Sequence, residues 1–417
     1  MRADSARSDR LAFLDGMRGW AALAVVISHG VLALDFALFT GLATDSRTPW
    51  DIRASRTPFM VPATDGNFAV CLFFILSGYV LSRAYSKSDQ TWIALAVRRY
   101  VRLGIPIAIG GMLSWATIRF GLAEAGGAAE ITKSSWLASQ ALADPSLRGL
   151  LASLWRLMFL FEKTRGSIYD TSLWTMPIEL SASLLILSVM VLCRRLGAFG
   201  STAAGILFAL AAIVWVGSYL SLFAFGAAMQ LINPVRVLQF FRSNRSATFF
   251  LVAAVLFCGT VPYSAERWGV YNQITGFALH IIWRTSFWDH DPESFWHAIG
   301  ACVLMILVLS SDRVQAILAR PIAQFLGRIS FPLYIIHVPI LSVVLGRVIL
   351  TGARLGWSPA GTSLLGFGVF VLVSVAGAAV AAPIMEGGAV KGSAWVAHQV
   401  EIRLRPRLPR ILGVRFP

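Results

Sequence analysis

The chain reads as an all-α, polytopic transmembrane bundle of about ten spans with both termini cytoplasmic, and three observations carry that reading. The first is composition. The sequence is 57% hydrophobic and 14% charged, with a mean hydropathy of +0.69, whereas soluble domains carry about 25% charged residues. The second is that apolar segments recur at the length a bilayer requires. The third is that Lys and Arg gather in alternate connections, as they do where they set membrane topology. The net charge of +15 therefore reports topology and calls for no nucleic acid. Cys71, Cys193, Cys258 and Cys302 lie in or beside apolar spans without ligand spacing. They read as small buried hydrophobes, and no metal or bound cofactor is expected. The first ten residues are polar, and no cleavable signal peptide is evident.

The apolar cores fall at 20–38, 67–84, 103–121, 173–193, 201–215, 217–231, 247–262, 294–310, 329–350 and 362–384. The fifth and sixth nearly merge, and Gly217-Ser218 marks their boundary. A further patch, Ile274 to Trp288, is interrupted by His280 and Arg284 and suits a re-entrant or interfacial helix. One set of connections, from the N-terminus through Arg98, Arg99 and Arg102 to the Arg-rich C-terminus, holds 23 of the 36 basic residues and reads as cytoplasmic. Residues 1–390 form a single transmembrane domain on this reading, and 391–417 a basic cytoplasmic tail on an anionic inner leaflet. Outside lie 39–66, expected to be irregular, and 122–172, whose Leu150 to Phe161 stretch suits a surface helix. Aromatic- and acid-rich 263–293 suits mainly an interfacial belt.

Five stretches depart from bland span composition. RLAFLDGMRGWAALAVVISHG, Arg10 to Gly30, places Arg18 and His29 eleven residues apart. That spacing is a net turn of about 20°, so the two share a helix face about 16 Å apart, with Asp15 on the same stripe. An ionisable group at membrane depth marks a functional site by default, although His29 would also serve as a helix-packing donor. In CLFFILSGY, Ser77-Gly78 permit close helix approach. In AVRRYVRLGIP, Arg98 and Arg102 share a face beside Pro106, which is expected in the first turn of the third span. That cluster suits either a cytoplasmic anchor or a phosphate site. SLWTMPIELSASLL sets Glu179 inside an apolar helix, five residues after Trp174, where it needs a partner or a proton. In LGRISFPLYIIHVPIL, Tyr334 and His337 share a face between Pro332 and Pro339, which should bend the helix.

Taken together and in order, these stretches resemble the acyltransferase 3 family of bacterial membrane O-acyltransferases. The resemblance rests on Arg18-x10-His29, FFILSGY, RRYVRLGIP, LWTMPIE and GRISFPLYIIHVPIL, and spans residue 10 to about 341. It implies transfer of an acyl group, such as acetyl, from cytoplasmic acyl-CoA to a hydroxyl of a cell-surface or lipid-linked glycan at the inner membrane. The family's histidine and arginine map to His29 and Arg18, and its donor-associated basic cluster to Arg98, Arg99 and Arg102. Asp15 and Glu179 join His29 and Arg18 as expected catalytic residues. Ser77, Trp174, Tyr334 and His337 join the arginines as expected substrate or donor contacts. Leu180-Ser181-Ala182-Ser183 and Cys71 stand where many members carry other residue types.

The chemistry of the residues agrees. A hydroxyl needs a general base near neutrality, and histidine supplies one. Arg18 stays protonated, so it serves as an ion-pair or phosphate ligand. The alternative reading is a proton-coupled transporter or flippase, which intramembrane His and Glu would suit. No internal repeat pairs the two halves, and a structural subunit with its charges as helix glue is the third possibility. Membrane lipids are the remaining expected partners, and no oligomeric state is read from the chain.

Overall fold

A computed structural model describes residues 2–55, 57, 66–163, 167–260, 273 and 292–404, and among these it contains helices and no strand. The first helix, α1 (Arg2–Leu34), carries Arg18 and His29 on one unbroken rod. Helices α2 (Asn67–Ser86) and α3 (Trp92–Arg119) follow, the second started by Thr91, whose side chain accepts from the Ala94 amide. Helix α4 (Leu147–Phe159), at the stretch expected as a surface helix, is capped by Ser146 and packs against α3. A single turn of tight helix, Thr171–Thr175, leads into α5 (Met176–Arg194), with Pro177 in its first turn. Then come α6 (Gly200–Val214), α7 (Tyr219–Ile232), α8 (Arg245–Gly259) and α9 (Pro292–Ser310). The chain closes with α10 (Pro321–Ile340), α11 (Gly346–Arg354), α12 (Pro359–Ala382) and α13 (Ala389–Leu404).

Among the described residues, six helices are long and apolar enough to cross a membrane, or up to eight if two bent pairs each count as one span. That falls below the ten apolar segments of the sequence, and helix length explains the difference. Segments 201–215 and 247–262 become helices of 15 residues each, about 22 Å long against a hydrocarbon core of about 30 Å. The 217–231 segment ends at Asn233, in the left-handed region at φ 46°. Pro234 follows, and the chain turns by 93° into Val235–Ser243. The boundary between the fifth and sixth segments does fall at Gly217-Ser218. Gly217 has φ 89° and Ser218 caps α7.

Two other expectations change, and one segment gains detail. Pro106 sits well inside α3, because that helix starts at Trp92 and already contains the arginine cluster. Residues 39–66 are not wholly irregular, since short helical turns occupy Ala43–Asp45 and Pro49–Ser55. The chain past residue 390 is helical to Leu404 and packs on α3. The rest of the basic tail, most of 263–293 and the Ile274 to Trp288 patch lie outside the described residues. The four cysteines form no disulfide among the described residues, and all but Cys302 are buried.

The core lies between α1, α2, α5, α7 and α10. Contact between α1 and α10 is the most extensive. Gly16 and Gly19 face Leu318, Leu326 and Gly327 so closely that a Cβ has no room. The crossing of α2 and α7 is equally tight, with Gly78 against the Phe223 backbone and Gly226 against Ile75. Pro332 and Pro339 lie inside α10, and directly after Pro339 the helix widens into a π turn at Leu341–Leu345. A proline removes one amide donor and crowds the preceding turn, which favours such a widening.

Candidate active site

Close packing of α1 on α10 brings two histidines of distant sequence together. His29 Nδ1 lies 2.7 Å from His337 Nε2, and the rings stack with centroids 4.9 Å apart. His337 is fully buried, and its Nδ1 lies 3.1 Å from the Leu333 carbonyl oxygen one turn earlier. On its other side His29 packs against the Trp136 ring, at 4.9 Å between centroids. The connection between α3 and α4 holds Trp136 there, because the Ser134 hydroxyl donates to the Leu32 carbonyl near the end of α1 (2.7 Å). Among the described residues, no ion pair reaches either imidazole.

Eleven residues before His29, α1 presents Arg18 to a cavity of about 160 Å³. Ser77, Arg99, Arg102, Glu179, Ser330, Tyr334 and Glu386 also line it. Its charges are arranged unequally. Arg99 is ion-paired with Glu179, each side chain only 11% exposed. Ser77 donates to the same carboxylate oxygen (2.7 Å), and Arg99 Nε donates to Ser183 (3.0 Å). Glu179 thus has the partner its apolar helix demands. Arg18 pairs with exposed Asp15 (3.0 Å) and donates from Nε to Ser330 (3.1 Å). It keeps 37% of its side-chain surface open, and Arg102 is exposed. Arg18 and Arg102 are therefore the more exposed arginines at the cavity, while Arg99 is held in a buried ion pair.

Tyr334 joins the two regions. It lines the cavity, its hydroxyl donates to the Ser172 carbonyl and lies 3.0 Å from Thr175. Its ring centroid is 6.1 Å from that of His337. Of the sequence-selected residues, Arg18, Arg99, Arg102, Ser77, Glu179 and Tyr334 meet at the cavity, and His29 meets His337 behind Tyr334. Arg98 and Trp174 do not line the cavity. Trp174 packs on Tyr219 instead, at 5.4 Å. Asp15 acts as the ion-pair partner of Arg18.

Two further residues emerge only here. Glu386 lies on a π turn, Pro383–Gly388, between α12 and α13, and feels the charges of Arg18 and Arg102. Its signal in the sequence is a lone carboxylate after a long apolar run, beside Pro383 and Gly387-Gly388. Asp170, just before the fourth span, is fully buried. Its Oδ1 accepts from the Ser172 amide and hydroxyl at 2.9 and 2.6 Å, whereas Oδ2 finds no partner among the described residues. Burial pushes its carboxyl up to about 7.

The arrangement sets an imidazole pair in an apolar setting, with Tyr334 between it and a cavity bordered by guanidinium groups. No solved structure matches this one. The O-acetyltransferase PaAT-1 of Phomopsis amygdali is 24% identical over 390 residues, which cover 81% of this chain and 74% of that protein. The family described as "Acyltransferase domain", acyltransferase 3, matches residues 11–381. With nearly its whole length accounted for by that match, the chain belongs to the acyltransferase 3 family and is a multi-pass membrane acyltransferase.

Proposed function

We propose that this enzyme transfers an acyl group, acetyl in the first instance, from cytoplasmic acyl-CoA to a hydroxyl of a cell-surface or lipid-linked glycan. The observation that carries the reading is that one helix presents Arg18 to an open cavity shared with Arg102, and His29 to the buried imidazole of His337. A guanidinium binds phosphate oxygens through paired hydrogen bonds, so Arg18 and Arg102 are the groups for the phosphates of the donor. Arg99 serves the site by holding Glu179 and Ser183. Along the helix, Arg18 and His29 are about 16 Å apart, a span that an extended pantetheine arm bridges. His29 is then the general base for the acceptor hydroxyl. The acetyl group as cargo draws support from the activity in the relative's name.

The proposal places both termini in the cytoplasm of a bacterial inner-membrane protein, supported by the distribution of Lys and Arg. On that orientation Arg18 and Arg102 face the cytoplasmic donor and His29 lies toward the outer half of the bilayer. Residues 1–390 act as one catalytic unit, and the basic segment after 390 lies at the inner leaflet. The shorter apolar helices complete a count near ten if they cross thinned or tilted regions. The test is incubation of the purified protein with labelled acetyl-CoA and glycan extracts. Mass spectrometry should find an added acetyl group on a glycan, with release of one thiol per ester formed. Failure of any acyl-CoA to support transfer would overturn the donor assignment.

A further inference from the structure

We infer that His337 is a positioning residue that fixes the tautomer of His29 and confines the reaction's proton to His29 Nε2. The inference deepens the general-base reading and rests on it. It follows from two hydrogen bonds read in sequence. A carbonyl oxygen only accepts, so the nitrogen facing Leu333 O, His337 Nδ1, carries a proton. A neutral imidazole has one N–H, which leaves His337 Nε2 as a lone pair. His29 Nδ1 lies 2.7 Å from that lone pair. Two lone pairs would repel at this distance, so His29 Nδ1 bears the hydrogen and donates it. Nε2 of a neutral His29 is then the basic nitrogen. The opposite arrangement needs a doubly protonated His337, a fully buried cation with no carboxylate bonded to it among the described residues.

This geometry also sets the fate of the proton. The acceptor hydroxyl gives its proton to His29 Nε2 as its oxygen attacks the thioester carbonyl. A C–O bond forms, the C–S bond breaks, and the departing thiolate takes the proton from Nε2. Thioester plus alcohol becomes ester plus thiol, and both histidines end as they began. While His29 is protonated, its Nδ1–H bond to His337 becomes charge-assisted and stronger. His337 does not pass the proton on, because its remaining N–H points at a carbonyl of its own helix. The device is a closed one-proton shuttle, analogous to the outer partners that orient a working histidine elsewhere.

The experiment compares His337→Leu, His337→Gln and His29→Gln in the full-length purified protein, at equal monodisperse concentration, across pH. Leu removes the acceptor for His29 Nδ1–H. It should lower kcat about 10–100-fold, the usual cost of losing such an outer partner, with the KM for acetyl-CoA unchanged. The Gln side chain places an amide oxygen near the position of Nε2 and should recover most of that loss, with the acid limb of the pH profile retained. If His337→Gln is as slow as His337→Leu, the imidazole itself carries the proton and the inference falls. It falls also if His337→Leu keeps the parent kcat. A normal rate in His29→Gln would instead overturn the base reading. An inactive His29→Gln beside a normal His337→Leu would remove only the role of His337. Nitrogen-15 NMR of histidine-labelled enzyme checks the assignment without turnover. His29 Nδ1 should resonate as N–H and Nε2 as a lone-pair nitrogen, and the reverse pattern would overturn it.

Discussion

The histidine pair and the arginine cavity are held by the same helices, α1 and α10, yet their surroundings are opposite. His29 and His337 bond to each other and to a backbone carbonyl, with an indole on one side. Arg18, Arg99 and Arg102 stand among three carboxylates, Asp15, Glu179 and Glu386, and several hydroxyls, around an open cavity. On the proposed function, the contrast separates two tasks within one bundle. Proton transfer needs a neutral imidazole of known tautomer, and formal charges beside it would bias its protonation. Donor binding needs fixed positive charge, which must stay hydrated or paired until phosphate arrives. Tyr334, in contact with both, is the partition between them.

Substitutions on either side should fail in different ways. The largest effect is expected at His29. His29→Ala should lower kcat about 10²–10⁴-fold, the factor a general base supplies, while acyl-CoA affinity stays near that of the parent. An equal rise in KM would break the separation of the two regions. Glu179→Ala comes next, and its effect is on stability. It strands Arg99 in a site 11% exposed, and breaking a buried pair costs about 3–5 kcal/mol. Thermal unfolding in detergent should report that loss, and Glu179→Leu with Arg99→Met should return much of it.

Arg18→Ala and Arg102→Ala should each raise the KM for acyl-CoA about 10–100-fold, since a charge-assisted hydrogen bond contributes about 1.5–3 kcal/mol. The kcat should change little, and initial-rate kinetics decide. Loss of kcat alone would place these arginines at the reacting bond instead. Asp170→Asn sharpens the contrast through pH. The carboxyl of Asp170 titrates near 7 in the folded protein against a usual 3.8. Between these values the folded state holds a proton that the unfolded state has released, so stability falls as pH rises through that window. The asparagine variant should lose this slope while keeping the cap on Ser172, as thermal melts from pH 4 to 8 would show. The smallest change is expected from Glu386→Gln. Half-exposed charge pairs contribute about 0–1 kcal/mol, so removing this competitor for Arg18 and Arg102 should lower the donor KM by up to about fivefold.

Much of this was legible in the chain. Hydropathy and the positions of Lys and Arg specify a helical membrane protein, because a bilayer forces every backbone polar group into local hydrogen bonds. Helical periodicity put Arg18 and His29 on one rod, and Tyr334 and His337 on one face. Glu179 announced its need for a partner simply by sitting in an apolar run. The span count was less legible. Apolar length is a local property, but the chain bends by 93° at Asn233-Pro234 and by 99° at Ser311.

Partnership was decided by tertiary structure alone. Which of three neighbouring arginines stays open depended on α5 placing Glu179 against Arg99 and not Arg102. Whether Ser77 or Gly78 did the packing depended on the approach of α7, which takes Gly78 and leaves Ser77 for Glu179. His29 and His337 are 308 residues apart, and no local pattern relates them. They meet because glycines at 16, 19 and 327 let two helices approach to backbone contact. Periodicity assigns a residue to a face of its own helix. Only packing decides what that face meets, since the energy of a hydrogen bond or ion pair belongs to two groups whose separation the chain order does not encode.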